Sequence, residues 1–223
     1  MKVGTDGVLL GAWADVGSVA TILDIGAGSG LIALMLAQRR PNAYIHAVEI
    51  DEAAAEEAAA NTAASPWSHR IAVFPQSIQD FSAAPPQPSG YDLIVSNPPF
   101  FTGGVLSLSA SRQSVRHTVK LSHNDLLNAV RKLLLPGGRF CVVLPLIEGL
   151  RFAEWAAGYQ LHAVRQTQVK PRPAQPPNRV LLQLEKQPQA GGPTHDEISI
   201  YNDHNNDWTL EYQALTRDFY LKL

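Results

Sequence analysis

Leu23-Asp24-Ile25-Gly26-Ala27-Gly28-Ser29-Gly30 is the stretch that decides the architecture of this 223-residue chain. An apolar run, Thr21 to Ile25, reads as a short buried strand and enters a turn with glycine at alternate positions. Leu31 to Arg40 follows with helical character and stops before Pro41. Glycine accepts positive φ and lets the backbone pass close to a ligand. The helix behind the turn offers N–H groups without intrahelical partners. In open α/β sheets ligands bind beyond the carboxyl ends of strands, at turns of this kind. The spacing is GxGxG, not the GxGxxG of nicotinamide-binding folds.

Outward from the turn, strand-like and helix-like segments alternate. Tyr44 to Glu49 reads as a second strand, Asp51 to Asn61 as an Ala/Glu-rich helix, and Arg70 to Pro75 as a third strand. Tyr91 to Ser96 is a fourth strand, with the apolar run expected of a parallel sheet covered on both faces. Leu126 to Leu135 is a helix ending at Pro136-Gly137-Gly138, Arg139 to Leu144 a fifth strand, and Glu148 to Ala157 a helix. The alternation predicts a doubly wound, mostly parallel α/β sheet. Two further strands, near 161–168 and 179–185, have no helix between them and should pair as an antiparallel hairpin, giving seven strands. A parallel sheet finished in this way is the usual Rossmann-like layout of S-adenosylmethionine (SAM) dependent methyltransferases. Gln187 to Asp207 reads as loop around a short strand, and 209–219 as a terminal helix. One domain over 1–223 is expected, with 1–20 capping the cofactor and 187–223 forming a C-terminal loop, strand and helix.

The single cysteine, Cys141, lies in an apolar run and reads as a buried thiol. It excludes an internal disulfide and fits a reducing cytosol. No stretch approaches the roughly 20 apolar residues of a membrane span. A cytoplasmic monomer is the resulting expectation. The formal net charge is only -2, but it is unevenly spread. Residues 1–99 carry 4 Lys/Arg against 10 Asp/Glu, residues 100–180 carry 11 against 3, and residues 181–223 carry 3 against 7. The middle segment can therefore present a basic surface to a polyanion.

Glu49 ends the second strand, where an acidic residue can accept hydrogen bonds from both hydroxyls of a ribose. Asp80 follows the third strand and suits an adenine amino group. Asp24 either orients the turn or meets the methionine end through water. With Gly26, Ala27, Gly28, Gly30 and Ile50, these residues make up the expected cofactor site.

The chemistry points to Asn97-Pro98-Pro99-Phe100, which the fourth strand delivers at its carboxyl end. Asn97 supplies a carboxamide oxygen and Pro98 a neighbouring carbonyl. Two acceptors can grip both hydrogens of a planar NH₂ group and favour its pyramidal form. That form resembles the transition state of nitrogen methylation, so the grip lowers the barrier. Phe100 can stack on a planar acceptor. Asn97 is expected to border the cofactor as well. His195 and His204, with Asp196, Asp203 and Asp207, are irregularly spaced in an acidic loop and read as surface rather than metal ligands.

Together these residues resemble the amino-methyltransferases of the class I SAM-dependent superfamily. Lys2-Val3-Gly4-Thr5-Asp6-Gly7-Val8-Leu9-Leu10-Gly11-Ala12-Trp13-Ala14 narrows the likeness. So do Ser65-Pro66-Trp67, Pro177-Asn178-Arg179-Val180-Leu181-Leu182 and Ala214-Leu215-Thr216-Arg217-Asp218-Phe219-Tyr220-Leu221. Jointly they resemble the bacterial tRNA1(Val) adenine-N6 methyltransferases over nearly the whole chain. The resemblance implies transfer of a methyl group from SAM, leaving S-adenosylhomocysteine, to adenine 37 beside the anticodon of a valine tRNA. Asn97 and Pro98 would hold the amino group, Phe100 would stack on the base, and Lys2, Gly4, Thr5 and Asp6 would sit near the cofactor or close the pocket. Phe100 stands where many members carry Tyr, so stacking is kept and a phenol hydrogen bond is not. Members also carry a further stretch ahead of Lys2. The basic region then reads as an RNA-contacting rim: Arg112, Arg116 and Lys120 after the catalytic turn, and Lys170, Arg172 and Arg179 at the terminal hairpin. Guanine N2 in ribosomal RNA, adenine in DNA and a protein glutamine remain alternative acceptors of the same chemistry. A nicotinamide oxidoreductase and a non-catalytic binding module are more distant readings.

Overall fold

The structure is a computed structural model, and it describes residues 4–99 and 121–221. In chain order the elements are α1 (Thr5–Trp13), β1 (Thr21–Ile25), α2 (Leu31–Arg39), β2 (Tyr44–Glu49), α3 (Glu52–Ala63), β3 (Ile71–Pro75) and α4 (Ile78–Ala83). They continue with β4 (Tyr91–Ser96), α5 (His123–Leu133), β5 (Leu134–Pro145), α6 (Leu146–Ala157), β6 (His162–Lys170), β7 (Arg179–Glu185), β8 (Thr194–Ser199) and α7 (Leu210–Thr216). One sheet holds the strands in the order β3-β2-β1-β4-β5-β7-β6-β8. β1 to β5 are mutually parallel, and β7 runs antiparallel to both β5 and β6. This is the doubly wound sheet with an antiparallel hairpin. It has eight strands where the sequence suggested seven, because the short strand in the 187–207 loop pairs in parallel with β6. Only Ile198 and Ser199 of β8 are buried, so its sequence lacks an apolar run.

Local chemistry explains most boundaries. Asp51, Ser77, Ser122 and Thr209 each cap a helix by accepting a backbone N–H from the first turn. β5 starts earlier than the sequence suggests. It absorbs Pro136-Gly137-Gly138 through a register shift between Tyr91 and Leu93. A side chain at Gly138 would meet the carbonyl oxygens of Tyr91 and Leu135 at 3.0 Å, so only glycine allows that approach.

The sequence did not announce α1 as a helix. It is buried from Gly7 to Trp13 and lies against α2 and α7. Trp13 Nε1 donates to Thr167 Oγ1 on β6 at 2.8 Å. Arg39 on α2 donates to the carbonyls of Gly11 and Ala14 at 2.8 and 2.7 Å, closing the helix's C-terminal end. The N-terminal segment is thereby anchored at one end, and its first turn reaches the carboxyl edge of the sheet. Among the described residues no helix is long and apolar enough to cross a membrane.

Candidate active site

Strand register builds the site. Ile25 pairs with Val48 on one side and with Ser96 on the other. Neighbouring strands lie about 4.8 Å apart, so the residues that follow these three stand side by side at the carboxyl edge of the sheet. Those residues are Gly26, Glu49 and Asn97. Ser96 tightens the junction, its Oγ donating to the carbonyl of Ile25 at 2.8 Å in the interior.

The glycine turn needs all three of its glycines. Gly26, Gly28 and Gly30 have φ of 72°, 56° and 80°, a region costly for other residues. Gly26 and Ala27 both donate backbone N–H groups to the carbonyl of Val48, at 2.8 and 3.1 Å. Glu49 spans the turn: Oε2 accepts the Gly28 N–H at 2.8 Å and Oε1 that of Asp51 at 2.9 Å. Each oxygen keeps lone-pair capacity for a further donor. Ile50 beside it is 52% exposed, an apolar side chain left in the open at this edge.

Asp24 is fully buried. Oδ2 accepts the Ala33 N–H of α2 at 3.1 Å, while Oδ1 has no hydrogen-bond partner among the described residues. Burial pushes its carboxyl up to about 7, offset in part by the Ala33 bond and reinforced by the negative charge of Glu49. An orphaned buried oxygen has a free-energy cost that a cationic or hydrogen-donating ligand removes. A side chain built at Gly26 would meet nothing within 4 Å, so there is open space beside that oxygen's turn. These features fit the sulfonium and ammonium of SAM, with its ribose at Glu49.

Asp80 lies in the first turn of α4, where its Oδ2 accepts from the cap Ser77 Oγ at 2.6 Å. It is exposed at the same edge as Glu49.

Asn97, Pro98 and Pro99 line an open cleft of about 440 Å³ together with Gly4, Thr5, Asp6 and Arg179. The first turn of α1 thus faces the Asn97-Pro98-Pro99 turn. The Asn97 amide nitrogen would lie only 3.8 Å from a side chain at Gly7. Pro98 is buried and Asn97 half-buried. Across the cleft, Arg179 Nε pairs with Asp6 Oδ2 at 3.0 Å, and its Nη1 donates to the Asn178 carbonyl at 3.0 Å. The sequence assigned Asp6 to the cofactor and Arg179 to RNA, and it missed that they form one unit. The only hint was that each is a lone charge beside an apolar run.

The other expected RNA contacts divide. Lys170 pairs with Glu197 at 2.7 Å. Arg172 donates to the carbonyls of Asn202 and Asn205 and to Asn206 Oδ1. Lys2, Phe100, Arg112, Arg116 and Lys120 lie outside the described residues. Asp196 is engaged by Arg165 and Thr167. Among the described residues no three His, Cys, Asp or Glu side chains are grouped to hold a metal ion.

Residues 8–145 match the family described as "Methyltransferase small domain". The tRNA1(Val) (adenine(37)-N6)-methyltransferase of Pectobacterium carotovorum is 45% identical over 222 residues, spanning 99% of this chain and 88% of that protein. The enzyme of the same name from Klebsiella pneumoniae is 45% identical over 222 residues, with 99% and 89% covered. The crystal structure of a predicted O-methyltransferase from Agrobacterium tumefaciens shares the fold, with a TM-score of 0.74 at 20% identity over 96% of both chains. Fold and site thus define a Rossmann-like, SAM-dependent methyltransferase. Within that class, the chain belongs to the tRNA1(Val) (adenine(37)-N6)-methyltransferase family.

Proposed function

We propose that this protein transfers the methyl group of SAM to N6 of adenine 37 in a valine tRNA, in the cytoplasm. The observation that carries the reading is the convergence of Asn97 and Pro98 with the first turn of α1 on one cleft, level with the glycine turn and Glu49. The relatives' names support the acceptor.

SAM supplies an electrophilic methyl group on a sulfonium. The protein's part is to place and polarise the acceptor. Glu49 would accept from the ribose hydroxyls of SAM, and Asp24, once ionised, would balance its cationic end. Asp80 and Ile50, both exposed at this edge, would hold the adenine of the cofactor. The Asn97 carboxamide oxygen and the Pro98 carbonyl accept the two N6 hydrogens of the acceptor base. Its lone pair then leaves conjugation with the ring and points at the methyl group. As the nitrogen gains positive charge, both acceptor bonds strengthen, so they stabilise the transition state more than the ground state. Phe100, outside the described residues, is the group the sequence assigns to stacking on the base. Gly4, Thr5 and Asp6 close the cleft from the α1 side, and Arg179 across it suits the sugar-phosphate of the entering nucleotide. The sequence assigns Arg112, Arg116 and Lys120, outside the described residues, to further RNA contact, while Lys170 already pairs with Glu197.

A tRNA loop base is easier to present than a duplex base, whose extrusion costs a few kcal/mol. Competition among unmodified tRNA, ribosomal RNA, duplex DNA and release-factor protein tests the acceptor. Label from SAM should enter tRNA in preference to the others. Preferential labelling of any other acceptor would overturn the reading.

A further inference from the structure

We propose that the loops 171–178 and 200–207 form one rigid wall beside the cleft that reads RNA bases around the acceptor, with Arg172 as the residue that positions it. This rests on the tRNA acceptor proposed above.

Register places both loops at the catalytic edge. Pro145, at the carboxyl end of β5, pairs with Arg179, which lines the cleft and pairs in turn with Val169. Lys170 pairs with Ser199, so the chain leaving β6 and the chain leaving β8 emerge together. They are stitched from the start: Ile200 donates to the Lys170 carbonyl at 3.0 Å and Tyr201 to the Pro171 carbonyl at 2.9 Å. Ala174 donates to Asp203 Oδ1 at 3.0 Å. Arg172 then reaches across, one nitrogen on the carbonyls of Asn202 and Asn205 and another on Asn206 Oδ1 at 2.7 Å. Its guanidinium lies 5.8 Å from the Tyr201 ring centre.

Residues 202–207 are nevertheless all exposed. The loop is ordered by hydrogen bonds, not by burial. Fixing a backbone costs about 1–2 kcal/mol per residue, and no buried side chain of this loop offsets it. Such ordering is what a pre-organised recognition surface needs, since the entropy is already spent before the partner arrives.

The wall's chemistry indicates what it reads. Asp203 and Asp207 are anionic, and the Arg172 donors are turned onto the protein's own carbonyls. The wall therefore does not attract phosphate. Asn205 is bonded to Asp207 and Asn202 Nδ2 to the Trp208 carbonyl, which leaves Asn202 Oδ1, Asn206 Nδ2 and the exposed His204 imidazole as the groups suited to the edges of unpaired bases. Phosphate contact belongs to Arg179 and the basic rim, and base discrimination belongs to this wall.

The test uses the full-length protein with two transcripts: unmodified valine tRNA, and the same tRNA with the nucleotides flanking the target adenine substituted. The wild type should prefer the first. Arg172→Met, and separately replacement of 202–207 by a Gly/Ser hexapeptide, should lower kcat/KM on the native transcript about tenfold, the effect of losing one or two base contacts. Both variants should use the flank-substituted transcript as well as the wild type does, with unchanged SAM affinity and melting temperature. The preference would then collapse. A preference retained in both variants, or a loss equal on both transcripts, would overturn the proposal. Failure of the wild type to methylate either transcript would instead refute the acceptor reading beneath it.

Discussion

Asp24→Asn isolates the most unusual electrostatic feature of the site. The wild-type carboxyl is fully buried, with one oxygen unpartnered among the described residues, and titrates near 7 rather than 3.8. A raised carboxyl pKa means that the folded state holds the proton more tightly than the unfolded chain. The stabilisation is complete below the unfolded value of 3.8 and is lost as pH rises through about 7. At 1.36 kcal/mol per pH unit, the interval corresponds to roughly 4 kcal/mol, of which about 3 kcal/mol falls between pH 4.5 and 8. Asparagine keeps the acceptor for the Ala33 N–H and has no charge to bury. Urea unfolding of both proteins without SAM, across that pH range, should show the variant's relative stability rising by about this amount. Comparison within the pair cancels other titrations, including His46, whose lowered pKa acts in the opposite sense. A difference that stays constant from pH 4.5 to 8 would refute the account of Asp24. With SAM present, binding should release a proton near neutral pH, seen as a buffer-dependent enthalpy that the variant lacks.

Four other outcomes follow from the geometry. Glu49→Ala removes the expected ribose acceptor and the clamp on Gly28, and should weaken SAM binding by titration calorimetry at least about tenfold, the equivalent of 1.4 kcal/mol. Gly30→Val forces a branched side chain onto φ of 80° and against Ala58, where even a Cβ sits at 3.3 Å, and should destabilise the fold by about 1–3 kcal/mol in chemical denaturation. Arg70→Met strips donors from the carbonyls of Ala37, Arg40 and Ala43 and should cost about 2–4 kcal/mol by the same assay. Arg179→Met should reduce the slope of log affinity against log salt for tRNA by about one unit while leaving SAM binding unchanged.

How much was legible in the sequence depended on how local the cause was. The strands Thr21–Ile25, Tyr44–Glu49, Tyr91–Ser96 and Arg179–Glu185 were readable to the residue, because apolar runs sit between clear turn signals. So were the glycine turn, Glu49 and Asn97, since strand ends and motif spacing are written along the chain. α1 was not, because Val8-Leu9-Leu10-Gly11-Ala12-Trp13 is apolar all round and shows no 3.6-residue period, the mark of a helix buried on every side. The start of β5 was hidden by Pro136-Gly137-Gly138, which ordinarily ends an element but here forms a bulge. Side-chain pairings were the least readable. Asp6 and Arg179 are 173 residues apart, and nothing in either segment names the other. Arg172 and Lys170 read as free cations from the sequence, while the fold gives them partners on β8 and the loop after it.

Asn97 and Pro98 are proposed to hold an adenine amino group for methylation. The most direct measurement is incubation with isotope-labelled SAM and unmodified tRNA, followed by digestion and resolution of the nucleosides by mass, with Asn97→Ala alongside. The wild type should yield labelled N6-methyladenosine, and the variant should lose it while keeping its SAM affinity. Label in a different nucleoside, or equal N6-methyladenosine from both proteins, would contradict that role.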